Sequence, residues 1–545
     1  MTLPGEASGS EISLTDRLRL VLPKDVPFII HHLSTPPTKT DAIYSAPPNK
    51  RPDRTYCESH FLTLSIEVPG SGGSTQDGTP APSTFQTKRQ VMVFGIETFI
   101  YTTAHSTTLF VSKADSTGYL GLLNLPKGTS SPIRQVCATF IQHLVAARRR
   151  QGIPFIVSLF ARSQGQYLFP GSIDHGAKHV LDDRALIKWW CRVLDPLLAS
   201  PASHNAQGYL VIPGLDNYET RAFIPRTASA ASPSSPWSLT HPLEKISHYA
   251  REYDWVPPRC LVPRFPDDPK SRFRDELDEE AGQSGAMKVS GSWKTVKTLD
   301  MFWEMMAFRQ ECSSGRMTGF LWVVFDDEMP AEPSQDETSS ARLESSKKRP
   351  QSVSHDAANT CRRLPSKPDI QGRRKSQKKR FKLKGPIKPR QPRVKTEQRN
   401  HLLDIPSLSR YYYWPVQGRG SRLVNEKTYK RISDLVLHLD FSSVDRAVAS
   451  SQRWTSEVSL GRDWGQTVMG VVEEPTTTPA AGHGGSQVNN LSGLVKRKRT
   501  NTADEGAVNV PSADLVKKKV TEVEDKPQVN VLTSGLVRKK PKAEA

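Results

Sequence analysis

Asp267 and Asp268 are adjacent carboxylates, with Lys270 two residues beyond the second and prolines at 266 and 269 on either side. Proline fixes φ and cannot continue a helix or a central strand, so Val262–Phe273 reads as a rigid, irregular segment. Two neighbouring carboxylates resist ionising together once they lose water, which raises the pKa of one of them. A carboxyl tuned in that way can act as a general base on a lysine near neutral pH. The competing reading of the same residues is an exposed acidic turn, where Asp and Pro are common.

The elements that would position this segment are strands mixed with helices. Phe61–Val68 alternates apolar and polar residues with period two, and Val91–Thr102 and Thr107–Ser112 are β-branched and aromatic runs around a His-Ser turn. Ser131-Pro132 reads as an N-cap and first helical residue, after which Val136, Phe140, Ile141, Leu144 and Val145 recur at helical spacing. Arg148, Arg149 and Arg150 close that helix and are expected to be solvated. A strand at Pro154–Phe160, a helix over about Asp183–Leu198, a short strand at Gly208–Ile212, a helix over Thr295–Cys312 and an apolar strand at Gly319–Phe325 follow. A short helix over Ser13–Leu22 precedes them, and Tyr429, Ile432, Leu435, Val436 and Leu439 mark one more near the end. This order, without strict βα alternation, predicts an α/β (α+β) fold: one large domain with a central mixed sheet flanked by helices.

The net charge of +19 over 545 residues is unevenly spread. Residues 347–399 carry +16 and residues 491–545 carry +5, which leaves the remainder at about −2. A near-neutral core with basic appendages points to nuclear import or tethering rather than to a basic DNA-reading face. The expected organisation is a disordered leader at 1–10, a domain at 11–330 closed by 401–450, a disordered basic insert at 331–400, and a disordered tail at 451–545. The tail repeats Leu494-Val-Lys-Arg-Lys, Leu515-Val-Lys-Lys-Lys and Leu536-Val-Arg-Lys-Lys at intervals of 21 residues, which suits short motifs displayed three times to an acidic partner. None of the six cysteines forms a CxxC pair, so neither a disulfide framework nor a zinc site is expected. There is no apolar run of membrane-spanning length and no charged-then-apolar signal pattern at the start.

Several segments together resemble one family: Val111-Ser-Lys-Ala-Asp-Ser-Thr-Gly-Tyr119, Phe160–Pro170, Lys188-Trp-Trp190, Arg264-Phe-Pro-Asp-Asp-Pro-Lys270, Phe302-Trp-Glu and Phe308-Arg-Gln-Glu-Cys312. They resemble the fungal, histone-chaperone-dependent histone H3 acetyltransferases, a family related in fold to the CREB-binding-protein acetyltransferases. The resemblance spans roughly residues 11–330 and 400–445 and does not extend over the basic insert or the tail repeats. It implies acetyl-CoA as co-substrate and no metal. The implied substrates are the lysine in the N-terminal helix of the newly made H3 core and some H3 tail lysines, in replication-coupled nucleosome assembly and the DNA damage response. Implied partners are H3–H4, a nucleosome-assembly-protein type chaperone and an anti-silencing type chaperone, and the implied location is the nucleus.

By the same resemblance, Asp268 falls on the principal active-site acid and Lys270 on a lysine that the enzyme acetylates on itself. Trp190, Tyr167 and Asp115 fall on further active-site positions. Ala114, Asp115, Ser116, Phe160, Gln164, His179, Val180, Leu181 and Trp189 fall on acetyl-CoA contacts. Of the two tryptophans, Trp189 is expected to pack toward cofactor and core and Trp190 toward substrate. Two other classes compete. A non-enzymatic chromatin adaptor would have no need of the Asp268, Lys270, Trp190 and Tyr167 set. A DNA-binding protein working through the insert would bind duplex with strong salt dependence, and with Phe381 alone among the insert's cations it is poorly built to stack single-stranded bases.

Overall fold

Alternating and continuous apolar runs make the first third of the chain a sheet. In the computed structural model the strands are β1 (Pro27–Ser34), β2 (Thr38–Thr40), β3 (Thr55–Val68), β4 (Arg89–Thr102), β5 (Thr107–Ser116), β6 (Phe155–Ala161), β7 (Ala206–Val211), β8 (Trp237–Ser238), β9 (Gly319–Phe325), β10 (Arg422–Leu423) and β11 (Gln466–Met469). The helices are α1 (Leu14–Arg19), α2 (Ile133–Arg148), α3 (Asp183–Leu198), α4 (Asn217–Arg221), α5 (Leu243–Ile246), α6 (His248–Glu252), α7 (Pro269–Gln283), α8 (Ala286–Ser290), α9 (Leu299–Ala307), α10 (Glu426–Val436) and α11 (Val444–Ser459). The structure describes residues 12–68, 89–125, 130–199, 205–225, 236–253, 255–313, 315–326, 401–459 and 464–473. The expected leader, basic insert and tail repeats lie outside these.

The strands form one mixed sheet in the order β10-β1-β3-β4-β5-β6-β9-β7-β8, with β11 also on β1 and β2 on β3. Its centre is the antiparallel run β3-β4-β5, continued by β6 parallel to β5 after the crossover through α2. β9 then pairs antiparallel with both β6 and β7. The chain is therefore an α/β protein with helices on both faces of the sheet. One face carries α1, α2, α3, α10 and α11 over a core that includes Phe94, Val157, Leu321 and Trp454. The other carries α5, α7 and α9 over Ile156, Phe320, Trp322 and Val324. Successive side chains of a strand point to opposite faces, so the unbroken apolar run of β9 serves both cores at once.

Four local expectations change. α2 begins at Ile133, with Pro132 at its cap and no side-chain capping bond. α9 is shorter than the expected 295–312, because Thr298 caps it by accepting from the Met301 amide at 3.2 Å. Two of the three arginines closing α2 are not solvated. Arg148 is buried against Glu58, with Nη2–Oε2 at 2.9 Å, and Arg150 donates to the carbonyls of Ser106 and Tyr411. Finally, the folded region continues past 450: α11 runs to Ser459 and β11 pairs with β1 through Val468 and Phe28.

The segment after the insert returns to the same core. Arg148 Nη2 donates to the Gly418 carbonyl at 3.0 Å, and the Phe441 amide donates to the Pro170 carbonyl at 2.8 Å.

Candidate active site

The β5 strand ends in Ala114, Asp115 and Ser116, and Asp115 organises what lies beyond it. Its Oδ2 accepts the backbone N–H groups of Tyr167 at 2.7 Å, Leu168 at 3.0 Å and Phe169 at 3.4 Å. Its Oδ1 accepts the Ser116 amide at 2.8 Å and the Lys178 ammonium at 2.9 Å. Lys178 also donates to Ser172 Oγ at 2.7 Å. One carboxylate thus closes the loop that follows β6 and pins the segment leading to α3.

The other end of the same loop is held by Asp183. Its Oδ1 accepts the Ser163 amide at 2.6 Å, and its Oδ2 accepts the Met317 amide at 3.1 Å. Asp182 caps α3 through the Ala185 amide at 2.7 Å. The loop and helix therefore meet in a fixed relation, with Tyr167 on the loop and Trp189 and Trp190 on the helix. The two indoles meet edge to face, with centroids 4.9 Å apart. Tyr167 Oη donates to the Arg162 carbonyl. Burial pushes its phenol well above the ordinary range, so at neutral pH it is a donor and not an anion.

Between these parts lies a cavity of about 430 Å³. Ala114, Asp115, Ser116, Gln164, Tyr167, His179, Val180, Leu181, Trp189 and Trp190 all line it. The volume falls in the range of small-molecule and cofactor sites. Its lining joins apolar walls to a few polar groups, which suits a long thioester with amide and hydroxyl groups along its arm. Both tryptophans face the cavity; Trp190 is buried in the core, and Trp189 is partly buried and packs against the same core, so core packing does not separate the two as expected. Gly118, Lys178 and Leu186 also line the cavity and were not foreseen. The one sequence cue for Lys178 is that it directly precedes the 179–181 run.

Asp268, Lys270 and Phe160 are not among the residues lining this cavity; they gather around a second cluster. Asp267 and Asp268 do not share an environment. Asp267 is exposed, adopts φ 57°, and pairs with Lys113 at 3.1 Å. Asp268 is fully buried and begins α7 as its cap, with Pro269 in the first turn. The Pro-Asp-Asp-Pro stretch is therefore a helix start, since proline is pre-organised for the first helical position. Asp268 Oδ1 accepts the Lys270 amide at 3.1 Å, and Oδ2 takes the Lys270 ammonium.

Aromatic rings wall that ammonium. The centroids of Phe265, Phe320 and Trp322 lie 5.2, 5.4 and 5.9 Å from Lys270 Nζ. Phe160 pairs with Phe320 across the sheet and stacks on Phe110, which stacks on Phe265 at 4.4 Å. Burial raises the Asp268 pKa despite its lysine partner, and burial lowers that of Lys270. The perturbation comes from lost water and not from a neighbouring carboxylate.

Comparisons with known proteins show the family. The model of the histone acetyltransferase KAT11-type domain matches residues 14–155 and 151–457. A protein of Aspergillus flavus named histone acetyltransferase rtt109 is 38% identical over 499 residues, covering 84% of each chain. A protein of the same name from Schizosaccharomyces pombe is 33% identical over 242 residues, covering 43% of this chain and 56% of its own. The crystal structure of Rtt109 from Aspergillus fumigatus superimposes with a TM-score of 0.61 at 36% identity, covering 84% of this chain and 99% of that one. The chain belongs to the histone acetyltransferases with the KAT11-type domain, and it is an acetyl-CoA-dependent enzyme.

Proposed function

We propose that the cavity between the end of β5, the loop after β6 and α3 binds acetyl-CoA, and that the acetyl group passes to lysines of newly made histone H3. The observation that carries this reading is the convergence on one cavity of ten residues drawn from four separate stretches of sequence. The substrates are the lysine in the N-terminal helix of the H3 core and H3 tail lysines. H3–H4 is presented by chaperones of the anti-silencing and nucleosome-assembly types, in the nucleus, during replication-coupled assembly and the damage response.

The chemistry has three requirements. The amine, with a free pKa of about 10.4, must lose a proton. The thioester carbonyl needs a donor as charge develops on its oxygen. The reacting groups must be held in line. Tyr167 and Trp190 wall the entry of the lysine stem, and an aromatic wall tolerates the ammonium before deprotonation. Asp115 acts as a positioning residue through the loop that it closes.

Asp268 receives or orients the amine proton once it is free to accept. While Lys270 is charged, one Asp268 oxygen holds the ammonium and the other caps the helix. Burial favours the neutral amine of Lys270, which makes that lysine a competent acyl acceptor. On self-acetylation the Lys270 ammonium first loses one proton, its nitrogen then gains the acetyl group as the thioester C–S bond breaks, and a second N–H proton goes to the departing CoA sulfur. Asp268 then loses its cationic partner, and its pKa rises further.

The test is transfer from labelled acetyl-CoA to H3–H4 bound to the anti-silencing chaperone, with wild type beside Asp268→Asn and Trp190→Phe. Wild-type transfer, with a loss of about two orders of magnitude in a folded Asp268→Asn, is expected. Equal transfer by Asp268→Asn moves the proton chemistry elsewhere. No transfer by wild type to H3–H4 removes the assigned substrate.

A further inference from the structure

Three segments that play no part in the cavity meet at the far end of the β4–β5 hairpin, where β5 begins rather than where it ends in Asp115. They contribute Asp53 from the lead-in to β3, His105 from the hairpin turn and His248 from the start of α6. One ligand atom from each lies within 4.8 Å of the other two. The backbone holds two of them in place. Thr103 Oγ1 accepts the His105 amide at 3.1 Å inside the turn, and Thr55 Oγ1 donates to the Asp53 carbonyl at 3.1 Å.

We infer that Asp53, His105 and His248 form a binding site for a borderline divalent transition ion of the zinc class. Two imidazoles and one carboxylate on one small patch are a donor set that such ions prefer and that leaves coordination positions for water. Around an ion at about 2.0–2.2 Å from its ligands, neighbouring donor atoms lie roughly 3.3–3.5 Å apart. His248 Nε2 and Asp53 Oδ2 already stand at 3.5 Å. The His105 ring lies exposed and stacked on His248, at 4.0 Å and 6° between planes, with a ligand atom within 4.8 Å of those of the other two.

The carboxylate with a single histidine would complete an ion pair; the second stacked imidazole, open to water, is what that reading leaves without a task. The ion would tie the hairpin turn to α6. Tyr249, next to His248, packs in the same small core as Phe110 and Phe265, so the tie extends to the wall beside Lys270.

Cysteine spacing could not reveal such a site, because the three ligands are 52 and 143 positions apart and none is a cysteine. The test uses the full chain, stripped with a chelator and titrated with Zn²⁺ by calorimetry and thermal melting, with Co²⁺ absorption as the probe of nitrogen ligation. His105→Ala, an exposed substitution, is the main variant, Asp53→Asn is the second, and His438→Ala, an exposed histidine elsewhere, is the control. A raised melting temperature, ligand-field bands with Co²⁺, and affinity at least about tenfold weaker in both site variants but not in the control, bear the site out. Absence of Zn²⁺ binding by wild type, or equal binding by His105→Ala and wild type, overturns it.

Discussion

Asp268 holds Lys270 twice: one carboxylate oxygen accepts that residue's backbone amide at 3.1 Å, and the other takes its ammonium. Both side chains are fully buried. A helix cap and a buried ion pair are thus made by the same carboxylate, and the start of α7 cannot be separated from the charge state of the lysine.

Removing one partner of such a pair leaves a buried charge without compensation, which costs about 3–5 kcal/mol. Lys270→Met is expected to lose stability on this scale in urea unfolding. Asp268→Asn combined with Lys270→Met is expected to lose less than the sum of the single changes. Strict additivity in that cycle would show that the pair is not coupled. Lys270→Arg keeps the cation but removes the acyl acceptor, so its kcat falls while its acetyl-CoA affinity holds.

Asp115→Ala removes the acceptor for three loop amides and the partner of Lys178. Buried donors left unmade cost about 1–3 kcal/mol each, and here the loop can relieve that cost by moving. The expected outcome is a loosened Tyr167 and acetyl-CoA binding weaker by about ten- to a hundredfold in calorimetry, with the melting temperature lowered only modestly. Unchanged affinity would mean that the loop keeps its place without this carboxylate.

The Asp268–Lys270 pairing was legible because its members are two residues apart and bracketed by proline. The fate of Asp267 was not, since adjacency does not show that one carboxylate turns out to solvent. β3 begins six residues before its alternating pattern, because Glu58 and His60 are buried polar residues. Glu58 is met by Arg148, 90 positions away, and His60 Nδ1 by His32 Nε2 at 3.1 Å. α11 escaped notice because its inward positions are mostly small, with Ala447, Ser450 and Ser451 buried beside Trp454. β11 is a four-residue edge strand with only Val468 buried, too short for periodicity to register. The apolar strands and α2 and α3 carried their own signal, and the cavity followed from the segments that join them.

The network around Arg148 predicts acid lability. Burial holds His32 and His60 below the ordinary histidine pKa and lowers His143 to about 4. The unfolded chain therefore binds more protons than the folded one between about pH 6.5 and pH 4, and stability falls as pH drops through that window. Glu58 is held below its usual value, with Arg148 the largest lowering influence against burial, so its contribution is present above the unfolded value of about 4.3 and is lost only as pH falls further, through the lowered folded value. Melting temperature should fall steadily between pH 7 and pH 4. His143→Gln, which cannot take up a proton, should flatten part of the slope. An equal slope in that variant would remove His143 from the account.

Gly118 and Gly121 both line the cavity, and only one of them is required to be glycine. Gly118 has φ +86°, and a Cβ there would lie 2.7 Å from the backbone of Lys178. Left-handed backbone costs an L-residue about 1–2 kcal/mol before any clash. Since the neighbour is backbone, relief can come only from moving the segment that carries Lys178 and His179. Gly118→Ala is therefore expected to lower stability by at least that amount and to weaken acetyl-CoA binding as the 178–181 segment shifts. Around Gly121 a Cβ meets nothing within 4 Å, so Gly121→Ala serves as the matched control and should melt and bind like wild type. If the two variants behave alike in melting and calorimetry, the close approach of Gly118 to Lys178 is not what shapes the cavity.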